Sequence, residues 1–170
     1  MDDTTRREVL EAVKTAIITE LRGLEIYRAA VDRATDPAAR EMFKCLADDE
    51  QAHKEFLEAN YRSLLHDGTW AVPATPENLT PLDHSDIVST EFLRRVKGGA
   101  FEMAVIAAGV ELERSAIEYY RKEARACPDD TARETFRFLA DWEKGHLDAL
   151  VDLERQMRDQ YFAEQGFSPF

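Results

Sequence analysis

Apolar residues recur in steps of three and four along two long stretches of the chain, the period of amphipathic helices packed side by side. Helix A carries Val9, Val13, Ile17, Leu24, Tyr27 and Val31 and starts near Thr5, where Thr5-x-x-Glu8 has the form of a capping box. Thr35-Asp36-Pro37 ends it and opens helix B, with Asp36 as N-cap and Pro37 at the first helical position. Helix B carries Phe43, Leu46, Leu57 and Leu64. Helix C follows Gly98-Gly99 and carries Met103, Ile106, Val110, Ile117 and Tyr120. Helix D starts near Asp129 and carries Phe136, Leu139, Leu150 and Leu153. The turns between A and B and between C and D are a few residues long, so each pair is an antiparallel hairpin. The pattern predicts an all-α domain over 1–170.

The two hairpins, about 5–65 and 99–158, are copies of each other. Shifting the sequence by 93 places Glu20, Glu25 and Tyr27 on Glu113, Glu118 and Tyr120. The same shift places Ala39-Arg40-Glu41, Phe43, Leu46-Ala47-Asp48, Glu50 and His53 on Ala132-Arg133-Glu134, Phe136, Leu139-Ala140-Asp141, Glu143 and His146, without a gap. Between the copies lies a crossover, about 66–98, holding Pro73, Pro76 and Pro81. A helix of about 28 residues is roughly 40 Å long, and a segment of this length can extend to about 100 Å. The crossover can therefore travel the whole bundle and set C antiparallel to A; an up-down-up-down bundle would not need it. Asp86 to Lys97 forms either a short helix in the crossover or an unrepeated start of helix C. The purpose of the tail, 159–170, ending Gly166-Phe-Ser-Pro-Phe170, is not legible.

Each apolar stripe is interrupted near its middle. Glu20 stands between Ile17 and Leu24, Glu50 and His53 between Leu46 and Leu57, Glu113 between Val110 and Ile117, and Glu143 and His146 between Leu139 and Leu150. Glu20 to Glu50 and Glu113 to Glu143 are both separations of 30. Four glutamates and two histidines therefore point into the core. Unpaired buried carboxylates cost several kcal/mol each, and four together repel one another. Two divalent cations resolve both problems. A Glu and a His three apart share a helix face, so both can hold one ion. One Glu from each of two helices with Glu-x-x-His from each of the other two is the known ligand set of ferritin-like di-iron and di-manganese bundles.

Charge and composition narrow the picture. Lys and Arg number 22 against 34 Asp and Glu, a formal charge of −12, which argues against nucleic acid or an anionic membrane surface as partner and favours small cations. No apolar run is long enough to span a membrane. The polar N-terminus lacks signal-peptide character, and the two cysteines, Cys45 and Cys127, form no CxxC. A cytoplasmic protein with reduced thiols is expected.

On these residues the chain resembles the rubrerythrin-like branch of the ferritin-like superfamily, over about 5–65 and 100–158. The resemblance rests on E-x6-Y followed, thirty residues past the Glu, by ExxH, given twice. It implies a ferritin-like four-helix bundle around two iron ions, with manganese or zinc as substitutes. It implies Glu20 and Glu113 as terminal ligands, Glu50 and Glu143 as bridges, and His53 and His146 as one nitrogen ligand each. The activity it implies is an oxidoreductase reducing hydrogen peroxide or dioxygen. The alternatives are a ferroxidase for iron handling and a manganese catalase-like site. Rubrerythrins also carry a rubredoxin domain with two CxxC pairs. This chain has none, so electrons must come from an external donor such as a rubredoxin-like protein. An extra carboxylate expected on the third helix has no candidate three residues either side of Glu113, where Val110 and Ala116 stand. A homodimer is expected.

Tyr27 and Tyr120, two turns past Glu20 and Glu113, are either core tyrosines or hydrogen-bond donors to a ligand carboxylate. Glu25 and Glu118 fall too far round the helix to be ligands. Arg40 and Arg133 suit salt bridges at helix starts. Cys45 reads as a small core residue, Cys127 as exposed, Trp142 as packing, and His66 and His84 as solvated crossover residues.

Overall fold

The structure is a computed structural model and describes residues 1–71 and 99–164. Four helices make it up: α1 (Asp3–Arg33), α2 (Pro37–His66), α3 (Ala100–Ala126) and α4 (Asp130–Glu164), with no strand among the described residues. The bundle is all-α, as its periodicity predicts, and ferritin-like, as the resemblance implies.

Helix starts follow their capping chemistry, with one correction. Asp2, not Thr5, caps α1: its carboxylate accepts from the backbone N–H of Thr4 at 2.9 Å and of Thr5 at 3.0 Å. An anionic acceptor lying further upstream satisfies the free N–H groups and the helix dipole, so the helix starts earlier than the capping box predicts. Asp36 accepts from Ala39 N–H at 2.8 Å with Pro37 next, and Asp129 accepts from Ala132 N–H at 2.9 Å. Gly99 opens α3 without a side chain, and Glu102 reaches back to its N–H at 2.9 Å. α2 runs on through His66, which the sequence places in the crossover, and stops at Gly68, whose φ of 71° ends the helix.

Pairwise contacts give the topology. Gly23 lies against Glu50, so α1 and α2 are antiparallel. Tyr27 meets Glu113 and Tyr120 meets Glu20, so α1 and α3 are antiparallel too. At one end, the Glu102 carboxylate accepts from Thr35 N–H at 2.8 Å, tying the start of α3 to the α1–α2 turn. At the other, Trp70 Nε1 donates to Asp129 at 3.0 Å, tying the end of α2 to the α3–α4 turn. Ala71 and Gly99 therefore lie at opposite ends, which is why the connection must be long. The possible helix at Asp86–Lys97, His84 and the tail from Gly166 fall outside the described residues.

The core is two apolar layers with a polar one between. One is built around Leu24, Met42, Phe43, Ile106, Leu150 and Leu153, the other around Val9, Val13, Leu57, Leu64, Phe136 and Leu139. Burial of each large side chain contributes about 1.5–3 kcal/mol, and the layers cap the polar level from both ends. Cys127 is buried in the second layer rather than exposed, because it closes α3 facing inward, while Cys45 is half-buried. Arg40 and Arg133 do the same job in each hairpin. They donate to the carbonyls that end the preceding helix, Ala34 at 2.5 Å and Cys127 at 2.8 Å. Among the described residues, only Arg133 also pairs with an acid, Asp130. The expected salt bridge is thus, at Arg40, a backbone staple.

Candidate metal centre

Glu20 of α1, Glu50 and His53 of α2, Glu113 of α3, and Glu143 and His146 of α4 converge on the polar level, none more than 3% exposed. They form two overlapping groups. Glu20, Glu50, His53 and Glu143 each place a ligand-type atom within 4.8 Å of the others, and so do Glu50, Glu113, Glu143 and His146. Glu50 and Glu143 belong to both groups. Both histidines turn Nδ1 to the carboxylates: His53 Nδ1 is 3.1 Å from Glu20 and 3.2 Å from Glu143, and His146 Nδ1 is 2.8 Å from Glu143.

The cluster is under electrostatic stress. Burial, together with repulsion from neighbouring carboxylates, holds Glu50 and Glu113 well above the ordinary carboxylate range. Burial would raise Glu143 too, but His146 and His53 outweigh it and lower its pKa. Burial acts to lower His53, yet Glu20 and Glu143 overcome it and raise its pKa to about 10. His146 is raised for the same reason, chiefly by Glu143. Glu143 Oε1 is buried 3.2 Å from His53 Nδ1 but makes no well-formed hydrogen bond among the described residues. A carboxylate oxygen so placed, amid imidazole nitrogens and three more carboxylates, fits a cation. Carboxylate and imidazole donors suit iron or manganese.

Tyr27 and Tyr120 hydrogen-bond carboxylates of the cluster, but each serves the opposite hairpin: the Tyr27 hydroxyl donates to Glu113, and that of Tyr120 to Glu20. Both phenols are buried, and burial beside the carboxylates raises their pKa well above 10. The backbone leaves little room here. A Cβ on Gly23 would sit 3.0 Å from the Glu50 carboxylate, and one on Gly109 would sit 3.0 Å from the Tyr27 oxygen. Glu25 and Glu118 are exposed and stand away from the cluster.

Sequence reasoning missed two carboxylates. Asp49 Oδ2 lies 3.0 Å from His146 Nε2 and accepts from Trp142 Nε1 at 3.3 Å. Trp142, expected only to pack, thus links Asp49 to the ring of His53, 4.6 Å away edge-on. Position 49 has no carboxylate counterpart in the second hairpin, so the repeat did not flag it. Glu102, 1% exposed, continues the inward stripe of α3 below Ile106, but it binds Thr35 and Gly99 rather than the cluster.

Where α1 and α3 meet, a cavity of about 210 Å³ is lined by Thr15, Thr19, Gly23, Ser115 and Ala116, and it also exposes Glu20, Glu50, Glu113 and Glu143. No helix among the described residues is long and apolar enough to cross a membrane. The Rubrerythrin family model matches residues 11–154, spanning all four helices and the six converging residues. No curated protein and no solved structure matches the chain. With two four-residue groups sharing two glutamates in a ferritin-like bundle, and with that match across the helices, the chain belongs to the rubrerythrin family, a ferritin-like di-iron family.

Proposed function

We propose that the chain is a dinuclear iron oxidoreductase that reduces hydrogen peroxide or dioxygen with electrons from an external donor. The carrying observation is the pair of buried Glu/His groups sharing Glu50 and Glu143. When bound, a pair of ferrous ions supplies two electrons, enough, with two protons, to take one peroxide to two waters. Glu20 and His53 would hold one ion, Glu113 and His146 the other, with Glu50 and Glu143 between them. Four carboxylates favour the ferric state that oxidation leaves. Tyr27 and Tyr120 keep Glu113 and Glu20 aimed through their hydrogen bonds. The apolar layers close the site along the bundle axis, so reactants enter from the side. The α1–α3 cavity offers that way in, and its size supports a small oxidant over a bulky organic substrate.

The test is anaerobic loading with Fe(II), then mixing with peroxide or dioxygen in stopped flow. Rapid growth of ferric absorption with two irons oxidised per chain is expected, and a donor should return the site to the ferrous state. If neither oxidant produces it, the proposal fails. Retention of many more than two irons per chain would instead support iron handling, and manganese in protein from its native source would support a catalase-like site.

A further inference from the structure

The repeat supplies an internal control on the cluster. Shifting by 93 carries Glu50 onto Glu143 and His53 onto His146, but Asp49 onto Trp142. The residue before each shared glutamate faces the histidine of the other hairpin, and here the two hairpins differ. His146 presents Nε2 to Asp49 Oδ2 at 3.0 Å. His53 presents its ring to the indole of Trp142, and His53 Nε2 is buried without a hydrogen-bond partner among the described residues.

We infer that the two metal positions are inequivalent, the one held by His146 binding its ion more tightly because Asp49 backs that imidazole and Trp142 denies the same support to His53. Both rings turn Nδ1 to the carboxylates, so Nδ1 must be the unprotonated nitrogen for binding and Nε2 must carry the proton. A carboxylate on Nε2–H selects that tautomer, fixes the ring and makes the other nitrogen more basic. Losing such a partner costs 10- to 100-fold in metal affinity as a rule. At His53 the same Nε2–H has no acceptor among the described residues. Trp142 cannot provide one: its indole nitrogen only donates, and it donates to Asp49. Asp49 thus serves one position, and Trp142 holds Asp49 in place from the other side. Asp49 and Trp142 are positioning residues and do not touch the metal.

The inference rests on the di-metal reading, and one set of measurements separates their failures. The metal-free protein is titrated with Co(II) in a calorimeter, with visible absorption followed alongside. Two equivalents with dissociation constants about 10- to 100-fold apart are expected. Asp49→Asn should weaken the tighter step by about tenfold or more and leave the weaker step within threefold, so that the two converge. The single-ligand variants H53A and H146A isolate the positions: the ion kept by H53A should bind at least tenfold more tightly than that kept by H146A. No Co(II) binding at all by the folded wild-type protein sinks the di-metal reading. Two equivalents with equal constants in the wild type, or an Asp49→Asn variant that weakens both steps alike or neither, overturns the inequivalence alone. Should either single-ligand variant lose its helical circular dichroism, the wild-type and Asp49→Asn titrations decide.

Discussion

Gly23→Ala separates the needs of the helix from those of the site. In a mid-helix position, alanine is more favourable than glycine by about 1 kcal/mol. Here the new methyl would sit 3.0 Å from both Cδ and Oε1 of Glu50 and 3.4 Å from its Cγ. Relieving those contacts needs a shift of several tenths of an ångström, and overpacking of this kind costs about 1–3 kcal/mol. The two effects offset, so the metal-free protein should change in stability by less than about 2 kcal/mol. Metal binding has no such offset. Glu50 belongs to both groups, and a site held to within ~0.5 Å tolerates little displacement of a shared ligand. Affinity should fall at least tenfold for both equivalents, about 1.4 kcal/mol each. Urea denaturation of the metal-free protein and calorimetric Co(II) titration read the two quantities separately. The repeat-equivalent residue is Ala116, so Ala116→Gly is the control: it should lose about 1 kcal/mol of stability and keep both metals. Wild-type metal affinity in Gly23→Ala would refute the reasoning, as it would mean that Glu50 does not occupy the space the structure gives it.

Three further outcomes are expected. Glu102→Ala removes the acceptor for Thr35 N–H and Gly99 N–H, so it should cost about 2–3 kcal/mol in chemical denaturation while two metals still bind; a loss under 1 kcal/mol would show that the tie between α3 and the α1–α2 turn is dispensable. Tyr27→Phe strips a buried donor from Glu113 and should destabilise the metal-free protein by about 1–2 kcal/mol, with Tyr120→Phe doing the same through Glu20; an unchanged midpoint in both would argue against these bonds. The metal-free protein should be more stable at pH 6 than at pH 9. His53 is raised from 6.5 to about 10, so its contribution is complete below pH 6.5 and disappears as the pH climbs to about 10; Glu50 and Glu113, raised above 4.5, lose stability with rising pH in the same sense. Glu143 runs the other way, but its lowered pKa places its loss below pH 4.5, outside this window. Urea midpoints that are equal, or higher at pH 9, would contradict the charge pattern, and bound metal should reduce the dependence because it competes with the same protons.

Much of the site could be read because its information is local to each helix. A glutamate at position 20 interrupts an apolar stripe whatever the helix packs against, and the histidine three residues past Glu50 shares its face by helix geometry alone. Asp49 was not legible in this way. It lies one residue round from Glu50, at the edge of the inward face, and its meaning depends on which ring of α4 stands opposite. Glu102 was not legible either, because its role as the anchor of a turn more than sixty positions away depends on how α3 packs against that turn.

The sequence alone determined four helices, their hairpin pairing, the length of the crossover and the level at which polar side chains enter the core. Each follows from periodicity, caps and repetition, which act over a few residues or compare the chain with itself. Only the tertiary structure decided who meets whom at that level: that each tyrosine serves the other hairpin's glutamate, that Glu50 rests against the bare backbone of Gly23, and that Asp49 supports His146 while Trp142 faces His53. Those pairings depend on the rotation and stagger of one helix against another. Close packing of both apolar layers fixes them together, and spacing along a single helix carries no record of them.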